Sequence, residues 1–141
     1  MRVRHKAGRF VSVRGDWYEY CSELRLPRSY QMVVMYFAER VSEGTTNVCR
    51  GGVDAHARLC GVSYTYMARV MKALRLAGII RRAVPWMDFD DAGVGYVVSP
   101  YVACGNMVSA RRRVSMQIAW DAGKMGAVGD ADVFGATPLP P

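Results

Sequence analysis

A chain of 141 residues, 51% of them hydrophobic and with a formal net charge of +7, holds enough apolar material for a single packed core. No stretch approaches the roughly 18 apolar residues of a membrane span, and the basic N-terminus lacks the apolar centre of a secretion signal, so a cytoplasmic protein with no membrane association is expected. Four cysteines, Cys21, Cys49, Cys60 and Cys104, contain no C-x-x-C pair, and His56 with Cys60 offers only two ligands. Neither a metal site nor a cofactor is expected, and the thiols read as free and buried.

Residues 1–9 begin a run with Arg2, Arg4, Lys6, Arg9 and Arg14 and no acid, and read as a basic flexible arm, either lying along phosphates or simply solvated. Within Arg9 to Arg14, RFVSVR suits a short edge strand. Trp17 to Leu26 suits a short helix, and Pro27 marks the first turn of a longer one reaching about Val41. Along that helix Tyr30, Val33, Val34, Phe37 and Val41 make one apolar stripe, and Met32, Met35 and Tyr36 a second. A helix apolar nearly all round is buried either at the centre of the domain or between two copies, and a homodimer contact is expected here. Glu43 to Gly52 reads as a loop with a short strand around Val48 and Cys49.

The stretch GVSYTYMARVMKALRLAGIIRR, Gly61 to Arg82, is the most informative. Before it, Asp54 to Cys60 forms a short helix, with Ala57 packed against its successor and Leu59 pointing to the core. Gly61 makes a turn, and Ser63 stands where an N-cap accepts from free amides of the first helical turn. Met67, Val70, Met71 and Leu74 then fall at offsets of zero, three, four and seven, the buried side of a helix that Gly78 stops. Ile79 to Val84 and Val94 to Ser99 read as two strands joined by a loop from Pro85 to Gly93. Ser109 to Ala122 reads as a helix with Val114, Ile118 and Ala119 toward the body, and residues 123–141 as a mobile tail. The predicted fold is mostly α with a small β-wing: a winged helix-turn-helix DNA-binding domain over residues 10–122, with extra N- and C-terminal helices.

Charge sharpens this reading. From Arg50 to Arg82 the basic residues are Arg50, Arg58, Arg69, Lys72, Arg75, Arg81 and Arg82, against Asp54 alone. The major groove is about 12 Å wide and accepts a helix, and there each base pair shows its own pattern of donors, acceptors and methyl groups. Tyr64, Thr65, Tyr66 and Arg69 are the expected base-contacting residues, Arg69 through a bidentate pair with guanine. Lys72 and Arg75 are expected at phosphates, with Arg50, Arg58 and Ser63; strand alternation lets at most one of Arg81 and Arg82 join them. The plainer alternative is a solvated helix face on a module that binds protein. Asp88, Asp90 and Asp91 would repel phosphates, so the tip of the 85–93 loop is not expected in the minor groove. Arg111, Arg112 and Arg113 point 100° apart on a helix and read as solvated. No phosphate loop, nucleophile elbow or paired-carboxylate motif occurs, so there are no candidate catalytic residues and no enzyme is expected.

From about Phe10 to Trp120 the order of features resembles the RepL-type plasmid replication proteins, related to winged-helix regulators of the MarR kind. The resemblance rests on the aromatic-basic opening, the apolar helix, Asn47 in its loop, the motif GVSYTYMARVMKALRLAGII, and the strand running into GYVVSPYVACG. Its step is Ser99-Pro100, without the asparagine usual there. The resemblance implies a plasmid or phage protein that binds origin sites on double-stranded DNA and helps assemble host replication proteins; a transcriptional regulator or partition protein would use the same surface.

Overall fold

The structure, a computed structural model, describes residues 14–83 and 95–128 and the backbone of residues 2–4 and 10–12. These residues make a mixed α/β fold with helices α1 (Trp17–Glu23), α2 (Arg28–Val41), α3 (Val53–Cys60), α4 (Tyr64–Leu76) and α5 (Ala110–Asp121). The strands are β1 (Arg2–Arg4), β2 (Phe10–Ser12), β3 (Val48–Arg50), β4 (Ile80–Arg82) and β5 (Gly95–Val98). A three-stranded antiparallel sheet has the order β3-β5-β4, and β1 pairs with β2 separately. The succession α2-β3-α3-α4-β4-β5 with β5 central is compatible with a winged helix. The 85–93 loop with its acidic residues, and residues 129–141, lie outside the described residues.

Strand β5 is central because it can be. Its four residues are all buried, and each flank finds a partner, Cys49 opposite Tyr96 on one side and Arg82 opposite Tyr96 on the other. Its apolar continuity would be costly on an edge.

Phe37, Met67, Met71, Leu74, Ile79 and Ile80 are fully buried and belong to one core. The α2 stripe of Val33, Val34, Phe37 and Val41 is buried in it, and so is Tyr36 from the second stripe, while Met32 stays exposed. Packing within one chain therefore accounts for most of the apolar breadth of α2 and leaves Met32 outside. The core holds together through well-defined ends. At Gly61, φ is 80°, and the Val62 amide donates to the Ala57 carbonyl at 3.0 Å, a left-handed closure that lets α4 start after only three intervening residues. The same pattern closes α4, where the Ile79 amide donates to the Leu74 carbonyl at 2.9 Å.

The segment after β5 is held to α2 and β3 by polar contacts. The buried Asn47 side chain donates to the carbonyls of Val98 at 2.9 Å and Ala103 at 2.8 Å. Ser99 Oγ accepts from the Tyr101 amide at 3.2 Å, the local turn bond that an asparagine would also make at this position. Gly105 then passes so close to Gly44 that a Cβ would fall on the Gly44 carbonyl oxygen.

The structure differs from the sequence reading in four places. Leu59 is 56% exposed, because the inward position of α3 is taken by His56, which finds a polar partner in Tyr36. Helix α5 turns Met116 and Trp120 inward and leaves Val114 and Ile118 outside, since its contact is a small second cluster with Ala83, Val97, Cys104 and Met125. Residues 125–127 are packed: Met125 and Ala127 are buried, and the Ala127 amide donates to the Arg82 carbonyl at 2.7 Å, covering the outer edge of β4. Finally, part of the basic arm is a strand, with Arg2 opposite Ser12 and Arg4 opposite Phe10.

Candidate nucleic-acid interface

The turn Gly61-Val62-Ser63 sets the start of α4. Ser63 Oγ accepts from the Tyr66 amide at 3.1 Å, satisfying one of the free donors of the first turn. The thirteen residues of α4 span about 20 Å. Met67, Val70, Met71 and Leu74 are buried, which fixes the helix rotation and turns Tyr64, Thr65, Arg69 and Lys72 to solvent. Tyr64 is 59% exposed at the N-terminal end. Charge and hydrogen-bonding capacity thus lie along one outward side.

Other expected contacts sit less simply. The Tyr66 ring is half-buried and T-shaped against Tyr30 with centroids 6.1 Å apart, so part of it is spent on packing and Tyr64 with Thr65 remain as the open pair. The Ser63 oxygen serves as the cap, and its hydroxyl hydrogen stays available to an outside acceptor. Arg58 is exposed on α3, 3.8 Å from Asp54 across one helical turn, an interaction worth little where both groups are solvated. Arg50 is exposed at the end of β3. Arg75 is half-buried, and Arg75 and Arg82 place positive charge near the Tyr96 phenol, whose pKa burial nonetheless raises.

Arg81 leaves the expected phosphate-contacting set. Its guanidinium lies 3.5 Å from the centroid of the Trp120 ring, and Nη1 donates to the Trp120 carbonyl at 2.8 Å. A cation stacked on indole and bonded to backbone is committed to the fold, and burial lowers its pKa. Only Arg82 of the pair is left, as strand alternation allows.

Behind this surface lies a polar pair that sequence reasoning missed. Tyr36 Oη and His56 Nδ1 are 2.6 Å apart, enclosed by Phe37 and Tyr96. Burial, then the nearby Arg40 charge, pushes the imidazole down to about 4, and burial pushes the phenol up to about 12, so both are neutral near pH 7. The pair fastens α3 to α2. A histidine among apolar neighbours was the only available signal, and its partner is twenty residues earlier in the chain. Cys21, Cys49 and Cys104 are buried free thiols, with Cys49 pushed up to about 12 by burial; Cys60 is half-buried. Among the described residues no helix is long and apolar enough to cross a membrane.

The chain matches no family model, no curated protein and no solved structure.

Proposed function

We propose that the protein is a sequence-specific double-stranded DNA-binding protein of the winged helix-turn-helix class. It acts in the cytoplasm as a homodimeric plasmid or phage replication initiator of the RepL type rather than as an enzyme. The observation that carries this reading is the outward side of α4, where Tyr64, Thr65, Arg69 and Lys72 are exposed back to back with a fully buried stripe. A helix so anchored presents its side chains rigidly, as major-groove recognition requires. Arg69 and Thr65 meet base edges, Tyr64 reaches a thymine methyl or a flanking phosphate, and Lys72, Arg58, Arg50 and Arg82 neutralise phosphates. The resemblance of Phe10 to Trp120 supports the origin, and host replication proteins as further partners, over transcriptional or partition control through the same surface.

A second reading, a protein-interaction module, is favoured by Leu59 and Leu76, large apolar residues exposed on the same motif. Salt separates the two. Neutralising about three to five phosphates per chain gives a log-log slope of affinity against salt near −3 to −5, and an absence of duplex binding at low salt overturns the DNA reading. Arg69→Ala is expected to weaken a site selected from a random duplex pool by roughly tenfold more than random DNA, and Lys72→Ala to weaken both alike.

A further inference from the structure

Helix α5 faces solvent with the wrong residues. Its inward side is Met116 and Trp120, yet Val114 and Ile118, one turn apart on the opposite side, are 53% and 64% exposed. Arg111 and Asp121 bracket this apolar pair on the same side, at either end of the helix.

The charges of α5 also run against its own backbone. Arg111, Arg112 and Arg113 stand in the first turn, where free amides make the helix end positive, and Asp121 is its last residue, where free carbonyls make the end negative. Ser109 caps the first turn through the Arg112 amide at 3.1 Å, so the helix forms despite this placement. An apolar side with reversed charges at both ends is disfavoured in isolation on two counts.

Within one chain Arg81 offsets part of this at the C-terminal end, donating to the Trp120 carbonyl at 2.8 Å near Asp121. A second copy relieves what remains. When two α5 helices lie antiparallel about a twofold axis at the level of Met116, Val114 of each meets Ile118 of the other, and Arg111 of each meets Asp121 of the other. Each arginine-rich end then lies beside the negative end of its neighbour. We infer that the outward side of α5 is the self-association surface of this protein, an isologous contact of Val114 and Ile118 flanked by two Arg111 to Asp121 ion pairs. The surface belongs to the homodimer of the proposed function and is independent of its DNA reading. A pair of helices about 18 Å long makes a small contact, so association falls in the micromolar range or weaker.

Sedimentation of the full chain without DNA, from about 1 to 100 μM, tests this directly. Dimer is expected at the upper end for the wild type. Ile118→Lys, Arg111→Asp and Asp121→Arg are each expected to weaken it at least about tenfold, while the double variant Arg111→Asp with Asp121→Arg recovers part of that loss. Because Asp121 also accepts from the Tyr101 hydroxyl at 2.6 Å, Tyr101→Phe serves as the control and is expected to leave association unchanged. Thermal unfolding supplies a readout of opposite sign, since Arg111→Asp places charge in favour of the helix and is expected to melt no lower than the wild type while failing to dimerise. A wild type that stays monomeric at the highest concentration overturns the inference, as does undiminished association of Arg111→Asp or a double variant no better than either single one.

Discussion

Helices α4 and α5 begin alike and end up with opposite faces. Each starts at a serine whose hydroxyl accepts from an amide three residues on, at 3.1 Å in both, and each carries basic residues outward. In α4 four apolar residues go to the core and Thr65, Arg69 and Lys72 go out, with Leu76 exposed at the very end; in α5 only Met116 and Trp120 are fully turned in, and Val114 and Ile118 remain outside along its middle. The cap decides where a helix starts. Its neighbours decide which side is buried, and what is left over is available for a partner.

The sharpest break of this comparison is the same truncation on both helices. Leu74→Ala is expected to cost about 2 to 5 kcal/mol in chemical unfolding, and Ile118→Ala less than about 0.5 kcal/mol in the dilute monomer. Comparable losses would mean that α5 is buried in a way its exposure denies.

Next in size is the acid response of the motif carrying α4. The folded pKa of His56 is about 4 and its unfolded value 6.5, so the unfolded state binds the extra proton between them. Stability is fully present above pH 6.5 and falls as pH drops toward 4, by up to ~3 kcal/mol. His56→Gln flattens this part of the profile, whatever its absolute stability. An unchanged slope between pH 6.5 and 4 in the variant would assign the acid response to other groups.

Arg81→Ala, which removes the stacked guanidinium tying β4 to α5, is expected to cost about 1.5 to 3 kcal/mol, with faster hydrogen exchange at the Ala127 amide. Exchange unchanged at Ala127 would show that the segment holds without the stack. Smallest are the caps: Ser63→Ala and Ser109→Ala each lose about 1 kcal/mol. If only one of the two responds, the likeness between the helix starts is superficial.

What the sequence made legible follows the range of the interactions. Helix α4 was readable from Ser63 to Gly78 because its cap, its spacing and its stop all lie within sixteen residues of one another. The strands β3, β4 and β5 were readable for the same local reason, and Gly61 marked the turn. The inward side of α5 was not, since Val114 and Ile118 have helical spacing as good as that of Met116 and Trp120. The choice rests on Arg81, 39 residues away, whose guanidinium prefers indole and carbonyls to solvent. Leu59 went astray similarly: an isolated short helix prefers leucine inside, and only the hydroxyl of Tyr36 makes His56 the better occupant. Of the candidate contact residues, exposure was foreseeable for Tyr64, Thr65, Arg69 and Lys72 from the phase of one helix, whereas Tyr66 was claimed by Tyr30 across the fold.

The stack of Arg81 on Trp120 has a mechanical meaning. Only Ala77, Gly78 and Ile79 separate the end of α4 from the strand that carries Arg81, so the stack links α4 through β4 to α5 at Trp120 by a short path, and a path this short would act as a lever. Two chains joined along α5 would hold their α4 helices at one fixed separation. On DNA that rigidity would read as a single permitted spacer between half-sites, and loosening the stack would let neighbouring spacers in.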